Sequence, residues 1–112
     1  MKPEVDFASF AALDLRVGQV LAVEAFPEAR HPAWKVTVDF GPEVGTLHTS
    51  AQVTNYTAEE LAGRVVVGAI NLGTRRIAGF RSEFLLLGAI TEGGEVRLLA
   101  VDGDVPPGCP VG

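Results

Sequence analysis

The residues Trp34-Lys35-Val36-Thr37-Val38-Asp39-Phe40, closed by Gly41-Pro42, decide the fold class of this chain. Apolar Trp34, Val36, Val38 and Phe40 alternate with Lys35, Thr37 and Asp39. That period of two lays one face of a strand on a core and leaves the other to solvent. Upstream, Phe26 to Pro32 carries Pro27 and Pro32 and reads as a loop, because proline removes ladder donors. Before it, Leu15 to Phe26 is β-like, with Leu15, Val17, Val20, Leu21 and Val23 as its apolar positions and Gly18 as the expected bulge. Downstream, Leu47 to Ser50 predicts a short third strand, Val65 to Val67 a central one, Phe84 to Ile90 another and Val96 to Val101 the last.

Two short helices punctuate this run. Asp6 to Leu13 places Phe7, Phe10, Ala11 and Leu13 on one side, with Asp6 or Ser9 as N-cap. Thr57-Ala58-Glu59-Glu60 has the spacing of a capping box and is followed by Gly63, a C-terminal stop. Many short strands with glycines among them predict an all-β fold, a small closed barrel. The domain organisation is one unit over residues 1–112: a helix at about 6–13, the barrel at about 14–101, and an extended tail at 102–112. Runs such as Val65–Val67 and Phe84–Leu87 are apolar on both faces, yet a small barrel buries only one. The other face calls for cover from the N-terminal helix or a second subunit, which predicts a homodimer.

Composition narrows the function classes. A chain of 112 residues that is 47% hydrophobic, with mean hydropathy +0.27, has enough apolar surface to fold as one core. No apolar run is long enough for a membrane span, and Met1 to Leu13 lacks the uninterrupted apolar stretch of a signal peptide. A single cysteine, Cys109, excludes an internal disulfide framework, so a cytoplasmic location is expected. Catalysis lacks partners in the sequence. His48 and Ser50 share a strand face without an evident acid to orient the base, and His31 has no second ligand at metal spacing. Cys109 stands between Gly108 and Pro110 with no base nearby in sequence. The expectation is a binding protein without catalytic residues, metal or cofactor.

The binding chemistry concentrates in Asn71 to Glu83, NLGTRRIAGFRSE. Between Glu60 and Glu83 there is no acid, but Arg64, Arg75, Arg76 and Arg81 are present. With net charge −5 overall, this +4 window leaves −9 on the rest of the chain. Guanidinium forks suit phosphate, which takes two parallel hydrogen bonds from each. The competing reading is that Arg75 or Arg76 pairs with Glu83 or with an acid of a second subunit. Phe80, between Gly79 and Arg81, is either a stacking platform or a plug of the barrel end or dimer seam. Asn71, Ser50 and Gln52 offer hydrogen bonds near the same place, or satisfy local backbone groups.

Asp14-Leu15-Arg16-Val17-Gly18, Gly63-Arg64-Val65-Val66-Val67 and Asn71-Leu72…Arg76…Gly79…Ser82-Glu83 together resemble the tRNA-binding domain family. Its members are oligonucleotide/oligosaccharide-binding (OB) barrels appended to some aminoacyl-tRNA synthetases, or free-standing dimers. Phe26-Pro27-Glu28-Ala29-Arg30, Ser50-Ala51-Gln52 and Arg75 to Phe80 bring the resemblance closer to the free-standing CsaA branch, described as export-related chaperones. The resemblance implies a five-stranded OB-fold barrel, a dimer, and as partners tRNA and unfolded or pre-export polypeptides. It also implies RNA contacts by Arg75, Arg76, Arg81, Ser82, Asn71, Ser50 and Gln52. A polypeptide would lie in an apolar groove formed by Phe80, Phe84, Trp34 and Tyr56. The chain departs from the family pattern in three places. Phe26…Arg30 stands for His-Pro-x-Ala-Asp, Ser50-Ala51 for Ser-Gly, and Ser82-Glu83-Phe84-Leu85 for Ser-Glu-Gly-Met. The last exchange makes close RNA docking there less expected and offers apolar surface to a peptide.

Overall fold

A computed structural model describes residues 1–112. The strands are β1 (Leu15–Ala25), β2 (Trp34–Asp39), β3 (Thr46–Ala51), β4 (Val65–Ala69), β5 (Arg75–Ile77), β6 (Phe80–Ser82), β7 (Leu85–Leu86), β8 (Gly88–Ile90), β9 (Val96–Leu98) and β10 (Pro110–Val111). Short helices α1 (Phe7–Ala11), α2 (Gly41–Val44) and α3 (Ala58–Leu61) stand before and between them. The main sheet runs β3-β2-β1-β4-β7, with β10 added to β1; β5-β6 and β8-β9 are separate hairpins. This is the mostly-β, nearly closed five-strand barrel that the strand pattern predicts.

The core explains the alternation of β2. Val36, Val38 and Phe40 are buried, and with Val20, Leu61, Val66 and Phe84 they fill the barrel. The Phe40 ring lies over two glycines on neighbouring strands. A Cβ on Gly18 would meet it at 2.8 Å, and one on Gly68 at 2.9 Å. Gly18 therefore makes room for a ring and does not mark a bulge: it pairs in register with Val66, and the irregularity in β1 falls between Val20 and Ala22.

Other boundaries moved for physical reasons. The run from Phe84 to Ile90 is two strands, because Leu86 pairs with Gly68 in the barrel while Gly88 to Ile90 turns away to pair with β9. The last strand stops at Leu98. The tail is extended as expected, but it is anchored. Gly108 N–H donates to Val17 O at 2.7 Å, Val17 N–H to Cys109 O at 2.9 Å, and Arg16 Nη1 to Gly108 O at 3.2 Å. Asp14, bonded to Arg16 Nε at 2.6 Å, is the main reason the Arg16 guanidinium is held even more firmly protonated than usual.

The capping box forms as read: Glu60 N–H donates to Thr57 Oγ1, and Thr57 N–H to Glu60 Oε1. Helix α1 is shorter than expected, and Asp6 sits at its N-cap without a side-chain cap bond. It also covers no strand face, since none of its residues is buried and Phe7 is 78% exposed. The paired Val17 and Val67 are nonetheless buried within the single chain, so their cover does not depend on α1. No helix is long and apolar enough to cross a membrane.

Candidate nucleic-acid interface

The last side of the barrel closes between β3 and the stretch from β6 to β7. Main-chain pairing is sparse along this seam, where Glu83 N–H donates to His48 O at 2.7 Å. Hydroxyls do much of the rest. Buried Thr49 donates through Oγ1 to Phe84 O at 2.6 Å and lies 3.0 Å from Ser82 Oγ, which accepts from Ser50 N–H at 3.2 Å. Ser82, expected among RNA contacts, is thus a closing bolt of the barrel. Glu83 Oε1 binds His48 twice, through its N–H and Nδ1, both at 3.0 Å. The fold therefore brings His48 the acid that is missing in sequence, but no hydrogen bond joins His48 to Ser50.

Glu83 is occupied by His48, so it neutralises none of the three arginines. Arg75, Arg76 and Arg81 form no ion pair with any carboxylate of the chain, and all three are exposed. The β5–β6 register splits them. Arg76 stands opposite Arg81, whereas Arg75 stands opposite Ser82 and Ile77 opposite Phe80. Directly opposed residues share a sheet face, and successive residues alternate faces. Arg76 and Arg81 therefore occupy one face of the hairpin and Arg75 the other. The turn is tight: Ala78 has φ 48° and Gly79 φ 82°, the two positive values that a type I′ hairpin demands.

On the Arg75 face, two clefts of about 200 Å³ each flank the same residues. One is lined by Thr49, Leu72, Ser82 and Leu85, the other by Arg30, His31 and Gln52, and both include Ser50, Arg75 and Ile77. A third, of about 240 Å³, runs from Ser50 and Gln52 along Leu85, Leu86 and Val96. Ser50 and Arg75 thus share one cleft with Ser82 and the other with Gln52. Arg30 and His31 join them unannounced, because their loop (residues 26–33) lines the same cleft. Arg30 and His31 lie about 45 residues from Arg75 in the chain yet line the same cleft. Arg81 borders a separate depression of about 490 Å³ with Thr46, His48, Phe80 and Glu83.

Three expected site residues hold structural positions. Asn71 binds the α1–β1 connection, accepting from Asp14 N–H at 2.8 Å and donating to Ala12 O at 2.8 Å. Phe84 is 5% exposed and packs edge-on against Phe40 at 4.9 Å, while Tyr56 is 7% exposed with its hydroxyl accepting from Leu98 N–H. Tyr56 lines none of the clefts, whereas Phe84, although it fills the barrel, also lines the cleft with Leu72, Ile77 and Leu85. Trp34 is half-buried and donates its indole N–H to Tyr56 O at 3.0 Å. Phe80 is likewise half-buried. It leans edge-on against Phe26 at 5.4 Å, with Lys35 Nζ 4.8 Å from the Phe26 centroid and 5.3 Å from that of Phe80. Lys35, opposite Ser50 across β2–β3, is a further cation of this surface.

A family model described as "Putative tRNA binding domain" matches residues 15–110, from the first residue of β1 to the first of β10. The chain belongs to the tRNA-binding domain family. Among members of that family, the methionine–tRNA ligase of Methanosarcina acetivorans is 36% identical over 106 residues, which is 95% of this chain and 15% of the ligase. The chain spans about 15% of the length of the ligases it matches. Two crystal structures of the chaperone CsaA share the barrel nearly end to end. That from Picrophilus torridus is 39% identical with TM-score 0.92, covering 97% of this chain and 100% of its own. That from Bacillus anthracis is 41% identical with TM-score 0.92, covering 98% and 100%.

Proposed function

We propose that this chain is a non-catalytic RNA-binding module whose ligand is folded tRNA, acting as a homodimer. The observation that carries the reading is that Arg75, Arg76 and Arg81 are exposed around one hairpin with no carboxylate engaged by any of them. Unpaired guanidinium groups on an acidic body attract a phosphate chain locally while the rest of the surface repels it. Membership of the family supports tRNA as the RNA. Scarcity of accessible aromatic rings favours recognition of shape and backbone over stacked bases. The apolar side chains of the N-terminal segment, Val5, Phe7, Phe10 and Leu13, are all exposed, and a second copy is the occupant that would cover them.

Likeness to CsaA along almost the whole chain favours a second reading, capture of unfolded polypeptide. A client would meet Leu72, Leu85 and Ile77 beside Arg75, with the mostly buried Phe84 in the same cleft and Tyr56 outside it. Salt separates the two. Labelled tRNA titrated at two salt concentrations should bind with a steep loss at the higher one, whereas an apolar peptide site would weaken little. Absence of tRNA binding at low salt, with retained capture of an unfolded client, would reverse the order of the readings.

A further inference from the structure

The cleft between the loop over residues 26–33 and β5 has a composition unlike the other depressions of this surface. Arg30, His31 and Arg75 converge on it with Ser50 and Gln52, and no carboxylate is among its lining residues. The two arginines come from opposite walls: Arg30 from the loop after β1, Arg75 from the hairpin after β4. Neither the Ser50 hydroxyl nor the Gln52 amide is used in a hydrogen bond within the chain, although Asn71, Asn55, Gln19 and Ser82 all use theirs.

Cations beside free neutral donors and acceptors match a charged group joined to a hydroxyl. A nucleotide of RNA offers that combination, with its phosphate next to its 2′-hydroxyl, and the hydroxyl is what distinguishes RNA from DNA at a given site. We propose that this cleft is a ribose–phosphate subsite, in which Arg30 and Arg75 take one phosphate and Ser50 and Gln52 take the neighbouring 2′-hydroxyl. The proposal rests on the RNA reading above and adds to it Arg30 and a division of labour. The arginines supply affinity and salt dependence; Ser50 and Gln52 supply the choice of sugar.

The test uses the full chain, an RNA stem-loop, and the same stem-loop fully 2′-O-methylated, which keeps the phosphates and A-form shape but blocks the hydroxyl. The wild-type protein should bind the unmodified RNA about fivefold more tightly than the methylated one. In Ser50→Ala/Gln52→Ala that preference should vanish. Arg30→Ala should weaken both probes alike and reduce the slope of log affinity on log salt by about 1. If the stem-loop binds but Arg30→Ala alters neither affinity nor slope, or methylation is without effect, the subsite is wrong and the RNA reading stands. If Arg30→Ala weakens capture of an acidic unfolded polypeptide and leaves RNA untouched, the cleft serves carboxylates and the proposal falls. If the wild type binds no RNA at low salt, both readings fail together. Arg30 and Gln52 are exposed, and an unchanged far-UV spectrum certifies that the variants fold.

Discussion

Arg76 and Arg81 face each other directly across the β5–β6 hairpin, two like charges in register with no carboxylate bound to either. Opposed like charges destabilise a strand pair, whereas opposed unlike charges contribute about 0.2–1 kcal/mol. Arg81→Glu should therefore raise the stability of the hairpin while weakening tRNA binding. Thermal unfolding and an RNA titration on the same preparation check the opposite signs. A variant that is both less stable and RNA-competent would show that the pair serves the fold and not the ligand.

The three arginines should be visible in the salt dependence. If each touches one phosphate in both subunits of a dimer, the slope of log affinity on log salt approaches about −5. Arg75→Ala, Arg76→Ala and Arg81→Ala should each make it shallower, by about 1 for every phosphate the variant no longer neutralises. A slope near zero in the wild type contradicts the phosphate role of the whole strip.

Phe84 and Leu85 are neighbours with opposite fates. Phe84→Ala should cost about 3–5 kcal/mol, because it empties the barrel beside Phe40. Leu85→Ser, at a side chain 52% exposed, should change stability by less than about 1 kcal/mol. Denaturant melts of the two variants decide this, and equal losses would mean that Leu85 is covered in the functional assembly.

The seam rests on Thr49. Replacing it with valine keeps the shape but removes the donor to Phe84 O, leaving a buried carbonyl unpaired at a cost of about 1–3 kcal/mol. Hydrogen exchange of the Glu83 amide, which bridges to His48 O, should accelerate in Thr49→Val more than exchange in β4. Uniform acceleration would indicate global rather than local opening.

Ala78 holds φ 48°, a conformation that L-residues with a Cβ adopt at a cost of about 1–2 kcal/mol. Ala78→Gly should be neutral or stabilising by up to about 1 kcal/mol, and Ala78→Val clearly destabilising. A calorimetric Tm series would reveal the order; the reverse order would argue against the tight I′ turn.

Much of the architecture follows from local sequence, because its causes are local. The alternation from Trp34 to Phe40 names the inward face of β2, and Thr57 with Glu60 names the start of α3 through a bond spanning three residues. Gly18 shows where such reading stops. A glycine in a strand announces that something needs its space, but that the space belongs to Phe40 depends on a pairing between distant segments. The same holds for Phe84, which in sequence reads as apolar surface beside the arginines and in space completes the core.

The sequence alone determined the barrel, its family, and the presence of an acid-free arginine strip, since period, turn chemistry and charge are properties of neighbouring residues. Only the tertiary structure decided which partners those arginines meet. Glu83, adjacent to the strip in the chain, is held by His48 on β3, while Arg30 reaches the cleft of Arg75 from the loop between β1 and β2. Strand register sets both outcomes, and register is fixed by packing of the whole barrel rather than by any one segment.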